Sequence, residues 1–127
     1  MLAFCVVAAA LYAGREAGRP WLHWIQATLG NTLRFIPVED VRYCRSEGKY
    51  TCVVAADADA LLRRSLTALL ENLDPEVFWQ VHRGIAVNIR HIDAVIRREG
   101  GALVVRMRGG GEELPVSKTH QGRFRGM

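Results

Sequence analysis

The sequence has few cysteines, and none of them stands at the spacing of a metal site. Its 127 residues include three cysteines, Cys5, Cys44 and Cys52, without a Cys-x-x-Cys step, and the four histidines are scattered. Disulfide frameworks use even numbers of cysteines, and structural zinc sites use closely spaced pairs. The composition therefore predicts a cytoplasmic protein in a reducing compartment, with no metal and no disulfide framework.

A long hydrophobic run is also lacking. Residues 1–14 are uncharged and almost entirely apolar, but a helix needs about 20 residues to cross a bilayer. No basic region precedes them, as a secretory signal would require. They could form a helix, the stub of a linker or membrane span, or a disordered start; we favour a stub or linker helix ended by Pro20. Residues 1–30 are thus predicted to be an apolar segment and linker before a domain at residues 31–127.

Signatures of catalysis are missing too. Cys44, Ser117 and the histidines show no nucleophile–base spacing. The glycine run 109–111 lacks the Lys-Ser/Thr of a phosphate-binding loop and precedes two glutamates, so we interpret it as a hairpin turn. The sequence predicts no enzyme, no cofactor and no small-molecule substrate.

Positive charge is unevenly distributed along the chain. Residues 31–81 carry 6 Lys and Arg against 8 Asp and Glu, whereas residues 82–127 carry 9 against 4. Such a concentration suits a surface that faces phosphates, although a solvated basic face would have the same composition. Of the arginines at 97, 98, 106 and 108, we expect at least two only to keep the surface soluble.

Short stretches of alternating or β-branched residues dominate the chain and predict a mainly β (α+β) fold. A turn at residues 47–49 would place Cys44 directly opposite Cys52, where we expect two small buried hydrophobes and not a redox switch. The predicted strands are Trp21–Ile25, Thr32–Ile36, Val41–Arg45, Lys49–Val54, Ala60–Arg64, Phe78–Val81, Ile85–Ile89, Asp93–Arg97, Leu103–Met107 and Leu114–Val116.

One helix is predicted after residue 64. Ser65 is a good N-cap, and leucines at 66, 69, 70 and 73 form one apolar face. Asp74-Pro75 would end the helix. Because it lacks a basic stripe, this is predicted to be a packing helix and not a recognition helix for the major groove.

Four segments, taken in order, resemble the LytTR DNA-binding domain, the output module of LytR/AlgR-type response regulators. They are Ile36 to Val41 (Ile-Pro-Val-Glu-Asp-Val), Arg45 to Tyr50 (Arg-Ser-Glu-Gly-Lys-Tyr), Phe78 to Asn88 (Phe-Trp-Gln-Val-His-Arg-Gly-Ile-Ala-Val-Asn) and Leu114 to Lys118 (Leu-Pro-Val-Ser-Lys). The resemblance covers roughly residues 33–124. It implies an elongated β-β-β arrangement of short strands with one packing helix, which binds DNA through loops and strand ends.

The resemblance also implies a set of DNA-binding residues. Lys118 stands where the family usually has arginine, so a point-charge contact would replace bidentate reading of guanine. For Tyr50, a phosphate contact and packing within the hairpin are equally good interpretations. The implied contacts are Lys49, Tyr50, His82, Arg83, Lys118, His120 and Arg123.

These observations predict a sequence-specific DNA-binding transcriptional regulator of the LytTR type. Its partner would be double-stranded DNA, bound by weakly paired copies on repeated sites, and a membrane role is not favoured. No aspartate-bearing receiver domain fits into residues 1–32, so we expect it to act without its own receiver. The alternative is a protein-interaction module or truncated remnant that pairs with a full-length regulator or sits at the membrane.

Overall fold

Short β-strands make up most of the computed structural model, which describes residues 5–8, 21–29, 31–56 and 59–124. Within these ranges the only α-helix is α1, Leu66–Leu70. Short 3-10 helices span Val38–Asp40, Ile89–His91, Glu99–Gly101 and Lys118–Phe124. The strands are β1 Cys5–Ala8, β2 Trp24–Leu29, β3 Thr32–Pro37, β4 Val41–Glu47, β5 Tyr50–Ala55, β6 Asp59–Leu62, β7 Phe78–His82, β8 Ile85–Asn88, β9 Ile92–Arg97, β10 Leu103–Met107 and β11 Glu113–Val116.

The strands form three sheets. A six-stranded sheet has the order β1-β6-β5-β4-β8-β7, a three-stranded sheet has the order β11-β10-β9, and β2 pairs with β3. All described pairings are antiparallel except that of β1 with β6. The prediction of a mainly β fold with one packing helix is confirmed.

The six-stranded sheet is buried on both faces. One face packs against α1 and the β2–β3 hairpin, in a cluster that includes Ile25, Val53 and Leu69. The other face packs against the three-stranded sheet, in a cluster that includes Val87 and Val105. Hydrophobic burial on two faces fixes the register of the sheet, because a slip of one residue would exchange the two sets of side chains.

The two cysteines of β4 and β5 are not opposite each other, so that prediction was wrong. The turn holds one residue fewer than expected, and Cys44 pairs with Val53 while Arg45 pairs with Cys52. Both cysteines are buried, but in the separate clusters on the two faces of the sheet. Burial raises the pKa of the Cys44 thiol to about 12, so it stays protonated and is a poor partner for disulfide exchange.

Helix α1 is shorter than the leucine spacing predicts. It begins as expected, with the Ser65 hydroxyl accepting from the backbone N–H of Ala68 at 3.1 Å. The helix ends after Leu70, because the side chain of Asn72 donates to the Ala68 carbonyl. In a continued helix, the backbone N–H of Asn72 would donate to that carbonyl. Leu73 is nevertheless buried with the other leucines of that face.

The N-terminal part of the chain differs in two ways from the prediction. Residues 5–8 form strand β1 and not a helix, and residues 9–20 lie outside the described residues. The first strand of the hairpin begins at Trp24 and not at Trp21. Leu22 and Ile25 are buried in the core, while a domain boundary at residue 30 stays a prediction.

Candidate nucleic-acid interface

The β4–β5 hairpin presents Lys49 at its tip. Glu47 pairs with Tyr50 across a two-residue turn in which Gly48 has a φ of 63°, as glycine does at the first position of a type II′ turn. Lys49 is exposed and Tyr50 is half-buried. Arg45 is not available to a ligand in the same way, because its guanidinium donates to the Glu47 carboxylate at 2.6 Å, and this hydrogen bond raises its pKa.

The β7–β8 hairpin presents Arg83 in a second two-residue turn. The backbone N–H of Gly84 donates to Nδ1 of His82 at 3.1 Å, so in neutral His82 the proton is on Nε2. The Gln80 side chain donates to the Arg83 carbonyl at 3.1 Å. A register shift between Gln80 and His82 interrupts the pairing of the strands, and such bulges redirect side chains beside functional sites. Hydrogen bonds between two side chains and the backbone of Arg83 and Gly84 thus support the turn and leave the Arg83 side chain exposed.

The two turns lie side by side at the same end of the sheet. Strand β4 pairs with both β5 and β8, with Arg45 opposite Ile85. Beyond this pair, the backbone N–H of Ser46 donates to the Gly84 carbonyl at 2.8 Å. The relative position of the Lys49 and Arg83 turns is therefore set by the sheet ladder and not by loop flexibility.

The segment after β11 completes this end of the molecule. The backbone N–H of Ser117 donates to the Val81 carbonyl at 2.8 Å, which places the start of this segment close to the end of β7. The Ser117 hydroxyl lies 2.6 Å from Nδ1 of His120. Lys118 is exposed and His120 is half-buried.

Arg123 lies apart from the other predicted contacts. Its guanidinium carbon is 5.3 Å from the ring centroid of Trp79, and Phe124 also packs against that ring at 5.7 Å. These contacts anchor the 3-10 helix Lys118–Phe124 on β7. The structure thus brings Lys49, His82, Arg83 and Lys118 to one end of the sheet, with His120 beside them and Arg123 on the face of Trp79.

Comparison with known proteins identifies the family. The model of the LytTr DNA-binding domain matches residues 31–127. The chain belongs to this family. A LytTr DNA-binding domain from Bacillus cereus superposes with a TM-score of 0.73 at 25% identity, covering 81% of this chain and 94% of that one.

Two relatives are longer regulators. An uncharacterized response regulatory protein of Vibrio cholerae is 39% identical over 106 residues, which are 80% of this chain and 40% of that protein. The CO-responsive transcriptional regulator RcoM of Rhodospirillum rubrum is 31% identical over 134 residues, or 98% of this chain and 57% of that protein. The chain therefore spans about half the length of these relatives, and the expectation that it acts without a receiver stays a prediction.

A fourth segment of this LytTr domain reaches the same end, although no sequence motif indicates it. Leu62 pairs with Thr51 near the start of β5, so Arg63 and Arg64 follow β6 beside the Lys49 turn. Their proximity depends on the strand order, and no local pattern signals it. We call residues 46–50, 63–65, 82–84 and 117–120 the loop end; it holds five Lys and Arg residues against one acidic residue.

The arginines of the three-stranded sheet are mostly engaged with carboxylates of the same sheet. Arg98 and Arg106 both donate to Glu113, and Arg108 lies 3.9 Å from Asp93. The expectation that at least two of these arginines only keep the surface soluble stays a prediction. The hydrogen bonds from Arg98 and Arg106 lower the pKa of Glu113.

Metal-binding clusters and long apolar helices are absent from the described residues. In the part of the chain that the structure describes, no group of three or more His, Cys, Asp or Glu residues is arranged to hold a metal ion. None of the helices described is long and apolar enough to span a bilayer.

Proposed function

We propose that this LytTr domain binds double-stranded DNA in a sequence-specific manner and regulates transcription, with its loop end facing the duplex. The observation that carries the proposal is the alignment of exposed cations at the ends of paired strands. Lys49, Arg83 and Lys118 are exposed, and within the described ranges their side chains have no ion pair or hydrogen bond. Unpaired cations on a rigid support are what a polyanion requires.

The dimensions of the loop end suit a duplex. Neighbouring strands lie about 4.8 Å apart, so the row from β5 to Ser117 spans roughly 20 Å. The major groove of B-DNA is about 12 Å wide. The Arg83 turn, near the middle of the row, can therefore enter the groove while cations on both sides reach the phosphates that border it.

Arg83 is the proposed base reader. A guanidinium can bind O6 and N7 of guanine in a bidentate manner, and each such contact discriminates against a wrong base by about 1–3 kcal/mol. The bonds to the Arg83 carbonyl and to the Gly84 amide hold its backbone in place, which reduces the entropy lost on binding. Lys49 and Lys118, as point charges, are proposed to contact phosphates.

The test is selection of bound sequences from a pool of random duplexes with three proteins. They are the wild type, Arg83→Ala and Arg90→Ala, an exposed arginine at the other end of β8. We expect the wild type and Arg90→Ala to select the same motif with equal affinity. Arg83→Ala should bind that motif about 1–3 kcal/mol more weakly and accept other bases at one position. A repeated motif would indicate that two copies bind together.

The same selection can overturn the proposal. Failure of the wild type to enrich any motif, or equal losses for the two arginine variants, would contradict sequence reading by the loop end.

A protein-interaction module is the second candidate, and one observation favours it. Leu33 and Phe35, on one face of β3, are 51% and 53% exposed, and Phe35 packs against Trp24 at 5.9 Å. Exposed apolar residues that are adjacent mark interaction surfaces more often than isolated ones do. If this were the main function, Leu33→Ser with Phe35→Ser would abolish regulation in cells while leaving DNA binding intact.

A further inference from the structure

Arg63 lies at the loop end but is not one of the DNA-binding residues that the family resemblance implies. It follows Leu62, which pairs with Thr51, and this places it beside Tyr50 and close to the Lys49 turn. Its side chain is exposed. Among the described residues it makes no ion pair or hydrogen bond.

The backbone around Arg63 is fixed from both sides. The Leu62 side chain before it is fully buried. After it, the hydroxyl of Thr51, itself fully buried, donates to the Arg64 carbonyl at 2.7 Å. Ser65 then caps α1. The backbone position of Arg63 relative to the sheet is therefore fixed, and its exposed side chain carries the charge into solvent.

The loop end also contains little negative charge that could pair with Arg63. Its only acidic residue is Glu47, and the carboxylate of Glu47 accepts from Arg45 at 2.6 Å. The remaining charges of this end are cationic, which makes the local potential positive and favours an anion as the partner of Arg63.

We propose that Arg63 is a further DNA-binding residue, which contacts a phosphate outside the groove that receives the Arg83 turn. This inference rests on the proposed function. At a strand spacing of about 4.8 Å, Arg63 lies roughly 17 Å from the Arg83 turn, farther than the width of a major groove, about 12 Å. Arg63 therefore reaches the sugar-phosphate backbone and not the base edges, and it adds affinity without sequence preference.

The test measures affinity for the duplex selected by the wild type between 0.1 and 0.3 M salt. One lost phosphate contact reduces the slope of log K against log salt by about 0.9. For Arg63→Gln we therefore expect binding about eightfold weaker at 0.1 M and about threefold weaker at 0.3 M, with the selected motif unchanged. Arg63→Lys should keep the wild-type slope, because a phosphate contact depends on charge. Arg90→Gln is the matched control and should also keep it.

Several outcomes would overturn the inference. They are a wild-type slope for Arg63→Gln, a changed motif for Arg63→Gln, or an equal loss for Arg63→Lys and Arg63→Gln. Thermal unfolding of each variant, expected to match the wild type because the side chain is exposed, separates a binding effect from misfolding. A wild type that selects no motif contradicts the proposed function and this inference together, whereas a selected motif with an unaffected Arg63→Gln contradicts this inference alone.

Discussion

The two ends of the six-stranded sheet are built from similar short connections but differ in charge. The loop end holds five Lys and Arg residues against one acidic residue. The opposite end, which we define as residues 38–40, 74–77 and 89–91, holds four Asp and Glu residues against one arginine. A polyanion approaching this molecule would therefore be attracted to one end of the sheet and repelled by the other.

The two ends also use their polar groups differently. At the opposite end, Nε2 of His91 donates to the Glu39 carbonyl at 2.6 Å. Next to it, the fully buried side chain of Asn88 donates to the Val41 carbonyl and accepts from the Arg90 N–H, each at 2.9 Å. At the loop end the backbone is bonded in the same way, but the long cationic side chains of Lys49, Arg83 and Lys118 make no hydrogen bond to any residue that the structure describes. Polar side chains that make hydrogen bonds within the chain stabilise the fold. The cationic side chains without such bonds mark the surface that is proposed to bind DNA.

The largest expected effect is a loss of stability on substitution of Asn88, next to the opposite end of the sheet. Asn88→Ala removes both hydrogen bonds of the buried amide and leaves the Val41 carbonyl without that donor. We expect the free energy of unfolding to fall by about 2–4 kcal/mol, from the unsatisfied carbonyl and the lost cap together. Urea unfolding measures this, with Glu76→Ala as an exposed control that should stay within about 0.5 kcal/mol. A loss for Asn88→Ala below about 1 kcal/mol would show that this end does not depend on the buried amide.

The second effect compares the two turns of the loop end. A Cβ at Gly48 meets no atom within 4 Å, but the φ of this residue is 63°, so Gly48→Ala should destabilise the fold by about 1–2 kcal/mol. A Cβ at Gly84 would lie 3.6 Å from Cβ of Ser46, an ordinary contact at a residue whose φ is not positive. Gly84→Ala should therefore change stability by less than about 0.5 kcal/mol. Equal losses in thermal unfolding would contradict the described turn geometries.

The third effect concerns the two nitrogens of His82. His82→Asn keeps an acceptor near the position of Nδ1 for the Gly84 N–H but removes the Nε2 donor, whereas His82→Gln does the reverse. If Nε2 donates to DNA, His82→Asn should weaken binding by about 0.5–1.5 kcal/mol, and His82→Gln should bind more tightly than His82→Asn. The opposite order in a titration with the selected duplex would mean that His82 only supports the turn.

The smallest effect concerns stability at low pH, away from both ends. Because hydrogen bonds from Arg98 and Arg106 lower the pKa of Glu113, this carboxylate stabilises the fold above its ordinary pKa of 4.5. That contribution is lost as the pH falls through the lowered pKa. Wild type should thus be slightly more stable than Glu113→Gln at pH 7, and the difference should vanish in strong acid. A difference that is independent of pH would contradict an ionic origin.

Much of the fold could be predicted from local sequence patterns. The strands around Arg42, Val53 and Val105 and a turn at Gly48 follow from alternation and turn chemistry, which act over a few residues. The register of β4 with β5 could not be predicted to the residue, because the sequence around Gly48 is compatible with both a two-residue and a three-residue turn. That single residue decides whether Cys44 and Cys52 share a face of the sheet.

The candidate site was predictable only where a recognisable motif carries it. His82-Arg83 and Ser117-Lys118 were identified from the family resemblance. Arg63 was not, because its position depends on the order β6-β5-β4-β8-β7, which no local pattern encodes. Nor could the sequence show that Arg123 stacks on Trp79, a contact that depends on how the last 3-10 helix packs.

DNA binding by the loop end is tested most directly by a titration of the isotope-labelled chain with the duplex that it selects, followed through backbone amide signals. If the loop end binds the duplex, the amides of Lys49, Arg83, Gly84 and Lys118 should shift strongly, while those of the opposite end, such as Arg90, should stay near their original positions. Shifts concentrated at residues 38–40, 74–77 and 89–91, with the loop end unchanged, would contradict the assignment of DNA binding to the loop end.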